Sequence, residues 1–198
     1  ELKAQGLLFS PPPEWEPAMP KPGDPVRALC LNIAHACNLS CTYCFAGEGN
    51  YGGRTMLMPA EVARQAVDLL IRLSGARPVC EIDFFGGEPL LNWDVVRETI
   101  AYAREAGARA GKRFTFSLTT NALLLTPEIM DVLDREGVNL ILSLDGRPEV
   151  HDAKRCGSSA SVEGPIRMAL ERRAPGGKPA WEYGAAQGAT GRGAFAVL

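Results

Sequence analysis

Apolar residues in this chain follow two periods that alternate along its middle. Arg27–Ile33 is a short apolar run of the length and composition of a buried strand. Pro59 opens a helical stretch in which Val62, Ala66, Leu69, Leu70 and Leu73 share one face at i, i+4, i+7, i+8 and i+11. Val79–Phe85 predicts a second strand. The helix after it is expected to be capped at Asn92, with Trp93, Val96, Ile100 and Ala103 turned inward. Phe114–Thr120 is a third strand. Thr126-Pro127-Glu128 starts a third helix, with Ile129, Val132 and Leu133 buried and Gly137 as its stop. Val138–Leu144, apolar almost throughout, is the fourth strand.

Strands that alternate with helices and read as buried on both faces predict a parallel α/β sheet with right-handed crossovers, either a barrel segment or an open doubly wound sheet. In both, the functional edge is the carboxyl end of the strands. The flanks differ from this core. Residues 1–25 carry Pro11, Pro12, Pro13, Pro17, Pro20, Pro22 and Pro25, which predicts a linker, with Glu1–Leu8 as the last turn of a helix from something upstream. Residues 156–198, rich in Gly, Ala, Arg and Pro, predict a poorly structured tail in which Ile166–Leu170 forms at most a brief helix.

Composition narrows the classes. A hydrophobic content of 46% suffices for a packed core. A formal charge of −2 and a pI of about 5.8 do not point to nucleic acid as a partner. No apolar run is long enough for a membrane span and no signal-peptide pattern is present, which predicts a cytoplasmic setting; a start at Glu1 reads as the inside of a longer protein. In such a chain six cysteines argue against a disulfide framework. Cys30 and Cys80 lie in strand patterns and read as small buried hydrophobes; Cys156 is isolated and receives no role.

The remaining cysteines form Cys37-Asn-Leu-Ser-Cys41-Thr-Tyr43-Cys44, directly after the first strand. Zinc would want a fourth ligand, which only His35 offers nearby, and all four would crowd into one loop. Three thiolates without a fourth suit an iron–sulfur cubane with one open iron, able to chelate the amino and carboxylate groups of an amino-acid-like ligand. Three more motifs reach the same rim: Gly86-Gly87-Glu88-Pro89, Thr119-Thr120-Asn121 and Ser143-Leu144-Asp145-Gly146. The glycines permit close backbone approach to a ligand, or simply a tight turn, and Glu88 offers an acceptor for an ammonium. Tyr43 suits stacking on a nucleobase or packing of its own loop. Ser143 and Asp145 suit ribose or amino-acid groups or plain turn chemistry. Asn121 orients a ligand or caps a loop. Arg155, four residues after His151, holds a carboxylate or faces solvent.

Together these motifs resemble the radical S-adenosylmethionine (SAM) superfamily. The strings LCLNIAHACNLSCTYCFA, EIDFFGGEPLLNW and LILSLDGRPEVHD are similar to its SPASM-type peptide maturases, above all those that form thioether cross-links in cysteine-rich SCIFF peptides. The resemblance covers residues 26–155 and implies a partial (βα)6 barrel, with about four βα units present. It further implies a 4Fe-4S cluster on Cys37, Cys41 and Cys44, with SAM on the open iron. Reductive cleavage of SAM would yield methionine and a 5′-deoxyadenosyl radical that abstracts hydrogen from the substrate. Tyr43 matches the aromatic beside SAM, and Gly86, Gly87 and Glu88 the turn that receives its amino group. Ser143 matches a SAM contact and Arg155 the arginine near the SAM carboxylate. The implied partners are a cysteine-rich precursor peptide and an electron donor such as ferredoxin or flavodoxin. Ala122 departs from the family's usual Gly after TTN. Beyond Arg155 the match ends, without the cysteines for auxiliary clusters, so the tail reads as an aberrant ending. The N-terminal piece reads as the remnant of an upstream peptide-recognition domain. The alternatives are a catalytically inactive fragment that binds cluster and SAM, and a relative resembling the sulfatase maturases.

Overall fold

A computed structural model describes residues 21, 23–173 and 194–197. Its strands are β1 (Ala28–His35), β2 (Met56–Leu57), β3 (Val79–Gly86), β4 (Arg113–Thr120), β5 (Asn139–Ser143) and β6 (Ala194–Val197). They form one sheet in the order β2-β1-β3-β4-β5-β6. Every neighbouring pair is parallel except β1 with β2, which run antiparallel with Ala34 opposite Leu57. The helices are α1 (Ala60–Leu73), α2 (Trp93–Arg109), α3 (Pro127–Arg135), α4 (Pro148–Lys154) and α5 (Ser159–Arg173). All four predicted strands are present; the two-residue β2 was too short to show a period.

The strand period of two sorts side chains between two unlike faces. Leu31, Ile33, Ile82, Phe84, Phe114, Phe116, Leu118, Leu140 and Leu142 point to one face and are buried against the helices. The rings of Phe84 and Phe116 stack with centroids 6.1 Å apart, and those of Phe114 and Phe116 with centroids 6.3 Å apart. Gly107 brings α2 down onto this layer: a Cβ there would meet the Phe114 ring at 2.8 Å and the Lys112 carbonyl at 2.9 Å. The other face carries Cys30, Asn32, Glu81, Asp83, Thr115, Ser117 and Asn139, all exposed or half-buried. The expectation of strands buried on both faces therefore holds for one face only. Cys80 is buried as predicted, whereas Cys30 is exposed.

The helices show where periodicity alone misplaces a face. α1 buries Ala63, Val67 and Leu70, while Val62, Leu69 and Leu73 stay exposed. The buried stripe is thus turned by one residue, about 100°, from the predicted one. α1 packs beside α2, where Tyr102 donates to Asp68 over 2.9 Å. In α2, Val96, Ile100 and Ala103 are buried as predicted. Asn92 does not cap the helix with its side chain; its amide donates to the carbonyls of Ile33 (2.9 Å) and Met58 (3.0 Å), tying β1 to the approach of α1. Thr126 caps α3 by accepting from the Ile129 amide, and Met130 and Leu133 supply its fully buried positions.

The segment after Arg155 differs most from expectation. Ser159–Arg173 is a regular helix whose Val162, Ile166 and Ala169 join the core at i, i+4 and i+7. Arg172 pairs with Asp131 of α3 at 2.7 Å and Arg173 with Asp134 at 2.9 Å. Gly164 and Pro165 in its first half made the composition look like a loop, but three apolar residues at helical spacing outweigh that dilution once a surface exists to receive them. The backbone of β6 pairs with β5, so β5 does not end the sheet. The predicted linker at residues 1–25 lies outside the described residues up to Pro20, and so does the tail at residues 174–193. Among the described residues no helix is long and apolar enough to cross a membrane.

If α5 belongs to the core, Ile166→Ala will lower unfolding free energy by about 3 kcal/mol through cavity formation. Urea denaturation followed by circular dichroism measures this, and a loss under about 1 kcal/mol would contradict the packing.

Candidate active site

The site begins with a backbone clasp. β1 ends at His35, and Ala36 leads into the cysteine loop. Gly87 donates its amide to the Ala34 carbonyl (2.8 Å), and Glu88 donates to that of Ala36 (2.8 Å). A Cβ on Gly86, whose φ is +131°, would sit 2.4 Å from the Ala34 oxygen; one on Gly87 would sit 2.2 Å from the Ala36 oxygen. The paired glycines thus serve first to let the β3 turn lie against the stem of the cysteine loop. Gly49 closes the loop from the far side, where a Cβ would strike Cys37 Cβ at 2.7 Å. Amides of Cys44 and Gly47 donate back to Cys41 (3.1 Å) and Cys44 (3.2 Å), and Thr42 is pinned to the Lys154 carbonyl at 2.9 Å.

This arrangement brings Cys37, Cys41, Cys44, Tyr43, Gly86, Gly87, Ser143 and Arg155 to the wall of one cavity at the carboxyl ends of the strands. Thr119, Thr120 and Asn121 complete its β4 side. Asn121 donates to Asn38 Oδ1 at 2.7 Å and lies 3.7 Å from Cys37 Sγ, so it supports the first cysteine. Phe45 and Phe85, which sequence reasoning did not select, add an apolar wall with ring centroids 6.3 Å apart. No spacing rule joins these two phenylalanines, because they meet only through the clasp.

Glu88 departs from its predicted place. Its side chain is fully buried and does not line the cavity. It accepts from the amides of Leu90 (2.9 Å) and Asn121 (2.8 Å) and from the Thr120 hydroxyl (2.8 Å). Burial raises its pKa, against the pull of these three bonds. In this structure its side chain holds the ends of β3 and β4 together.

A second network holds Arg155, just beyond α4. Its guanidinium pairs with Asp145 at 3.1 and 3.2 Å, lies over the Tyr43 ring at 5.4 Å and approaches Cys41 Sγ at 4.0 Å. Tyr43 donates its hydroxyl to Asp145 at 2.5 Å; burial and this bond push the phenol up to about 12. Burial alone would raise the Asp145 pKa, but hydrogen bonds from Arg155 and Tyr43 outweigh it and hold the carboxyl below its usual range. Beneath lies His151, buried at 1% exposure. Its Nδ1 accepts from the Asp145 amide (3.3 Å), which leaves the proton on Nε2, facing Ser158 Oγ at 2.9 Å. Ser158 in turn donates to the Arg155 carbonyl at 2.7 Å. Burial, then the nearby Arg155, lower the pKa of His151 and keep it neutral.

Among the described residues no three His, Cys, Asp or Glu side chains converge on a point, as ligands of a single metal ion do. His35 packs instead on Tyr51, with ring centroids 5.1 Å apart. A cubane makes a different demand, because each thiolate meets its own iron around a body of several ångströms. Three thiols on one cavity wall and no fourth fit that group. Burial raises the pKa of the Cys37 and Cys41 thiols, so loading a cluster releases protons.

A sheet with a thiol-rich loop at its carboxyl edge and glycine, amide and guanidinium groups around one cavity defines a class: α/β proteins built to hold a cluster and a small polar ligand side by side. Residues 31–172 match the family model described as the radical SAM superfamily. The chain belongs to this superfamily, whose members use a 4Fe-4S cluster and SAM. It is similar to the GTP 3′,8-cyclase of Mycolicibacterium smegmatis, at 36% identity over 73% of this chain and 38% of the relative. It is also similar to the radical SAM cyclopropyl synthase TigE of Paramaledivibacter caminithermalis, at 26% identity over 70% of this chain and 31% of the relative. Among solved structures, native anSMEcpe with bound AdoMet superposes with a TM-score of 0.62 and 27% identity, over 73% of this chain and 41% of that one. The match supports a partial (βα) barrel. The chain spans well under half the length of each of these relatives.

Two outcomes test the site. Gly87→Ala will cost more than about 2 kcal/mol in urea unfolding, because backbone has to move to admit the methyl. Since the folded pKa of His151 lies below its ordinary 6.5, its contribution to stability is complete above that value and erodes as pH falls below it, when the unfolded chain takes up the proton. Thermal unfolding between about pH 7.5 and about pH 5.5 will therefore shift more in the wild type than in His151→Gln.

Proposed function

We propose that this chain is the cofactor-binding core of a radical SAM enzyme that acts on a ribosomally made, cysteine-rich peptide and closes a thioether cross-link. One observation carries the reading: motifs from four separate strand ends, led by Cys37, Cys41 and Cys44, line a single cavity. The peptide class draws support from the maturase-like strings around the cysteines, Gly86-Gly87 and Asp145, and from the similarity to a solved structure of anSMEcpe with bound AdoMet and Cp18Cys peptide (26% identity, TM-score 0.63).

When bound, the cluster and SAM supply an electron transfer that cleaves SAM to methionine and a 5′-deoxyadenosyl radical. The chain's own residues bind and orient. Cys37, Cys41 and Cys44 hold the cluster, with the Asn121 amide against Cys37 to fix its direction. The Tyr43 ring and the Phe45–Phe85 wall present flat apolar surface to an adenine and exclude water. Ser143 offers a hydroxyl at the β5 end. Arg155 offers its Nη1 side to a carboxylate while Asp145 retains the other side, so the guanidinium stays oriented and Tyr43 stays protonated. The electron donor in this reading is a ferredoxin or flavodoxin, and the setting is the cytoplasm.

Anaerobic reconstitution with iron and sulfide tests the proposal. Broad absorbance near ~400 nm is expected, with 5′-deoxyadenosine formed on adding SAM and dithionite. Cys37→Ala, Cys41→Ala and Cys44→Ala will each abolish both signals, while Cys156→Ala will spare them. A colourless protein carrying stoichiometric zinc would overturn the reading. Cluster and SAM binding without any deoxyadenosine would assign this chain to binding alone.

A further inference from the structure

The sheet face turned away from the helices carries a row of polar side chains that no feature of the cofactor cavity explains. Cys30 on β1 is level with Asp83 on β3, Asp83 with Ser117 on β4, and Ser117 with Asn139 on β5. One register level thus places a thiol, a carboxylate, a hydroxyl and an amide side by side across four strands. Two residues further along β3 and β4 stand Phe85 and Thr119, which line the cofactor cavity. The row therefore lies roughly 7 Å beneath the cavity, along the strand direction.

Parallel sheets are ordinarily covered by apolar packing on both faces, so a polar, half-exposed level has to be matched by something other than core. Asp83 is its centre. Ser117 donates to Asp83 Oδ1 at 2.7 Å. Cys30 stands level with the same carboxylate; burial first, then that carboxylate, push its thiol pKa up. Glu81, one level lower, is neutralised by Arg27 at 2.6 Å. Asp83 has no such partner: among the described residues no lysine or arginine forms an ion pair with it. Among the described residues the Ser117 hydroxyl is its hydrogen-bond donor and no cation faces it.

An independent feature borders the row. Tyr51 holds a left-handed backbone (φ +56°), and its hydroxyl is buried with no hydrogen-bond partner among the described residues. Its ring packs against His35, with centroids 5.1 Å apart, and Phe45, with centroids 6.0 Å apart, so it stands beside the end of β1 and the cysteine loop. Among the described residues the Tyr51 hydroxyl lacks an acceptor and Asp83 lacks a cation.

We propose that Asp83, flanked by Cys30 and Ser117, anchors a positively charged nitrogen of the substrate, an ammonium or a guanidinium, beneath the cofactor cavity. In the peptide reading this is a lysine or arginine close to the residue that reacts. The inference rests on the proposed function only in taking this face as the substrate side of the cofactor site.

The test uses two fluorescein-labelled pentapeptides, identical except for a central lysine or norleucine, and fluorescence anisotropy with the reconstituted, SAM-loaded protein. Wild type is expected to prefer the lysine peptide by at least about tenfold, and Asp83→Asn to bind the two equally. The lysine peptide should also slow iodoacetamide labelling of Cys30, mapped by mass spectrometry, in wild type and not in Asp83→Asn. Circular dichroism and cluster absorbance show whether Asp83→Asn folds. If it does not, Asp83→Ser, which removes the charge and keeps a hydroxyl beside Ser117, should abolish the preference in its place. Equal affinities in wild type, no binding of the lysine peptide, or a preference that survives in a folded Asp83→Asn would each overturn the anchor. SAM affinity is measured separately. A protein that binds SAM without discriminating the peptides defeats the anchor alone, whereas one that takes up neither cluster nor SAM defeats the reading of the cavity.

Discussion

The structure depends on the contact between the Gly86–Gly87 turn and the end of β1. Two backbone hydrogen bonds at 2.8 Å join them, with no room on either glycine for a side-chain carbon. The contact fixes where β3 stops relative to the cysteine loop, and so the distance across the cavity. Glu88 extends the same clasp to β4 through Thr120 and Asn121. A buried carboxylate is costly unless its lone pairs are engaged, and here three donors engage them. The charge that looks most available to a ligand in the sequence is therefore spent on geometry.

Around this rigid turn the charged groups are arranged in pairs that restrain one another. Asp145 sits between Arg155 and Tyr43, and the neutral His151 supports the backbone on both sides of that pair. A guanidinium held along one edge keeps its other edge directed, at lower entropic cost than a free arginine. Its position beside Cys41 also sets a positive charge against the cysteine loop, where it opposes the rise that burial imposes on the Cys41 thiol pKa.

The sheet divides its labour by face. Toward the helices it presents stacked phenylalanines and aliphatic side chains, and this layer supplies the stability. The opposite face carries Cys30, Asp83, Ser117 and Asn139, groups that a core would exclude. A polar floor under a cavity gives a substrate something to bind that is chemically distinct from the cofactor above it.

Strand positions, helix order and the cysteine motif were legible from residues alone, because periods of two and 3.6 and a fixed ligand spacing are local properties of a chain. Eight of the nine selected site residues do line the cavity, since strand-end motifs in a parallel sheet necessarily share one edge. What failed was always a question of neighbours. The face of α1 was turned by its packing on α2. Cys30 is exposed because, among the described residues, no helix packs on its face of the sheet. Glu88 was drawn inward by Thr120 and Asn121, more than thirty positions along the chain. Ser159–Arg173 became a helix because α3 and the sheet offered it a surface. Sequence by itself determined which chemistry sits at which strand end; only the tertiary structure decided which of those groups face a ligand and which face each other, because burial and hydrogen-bond partners are set by residues distant in the chain.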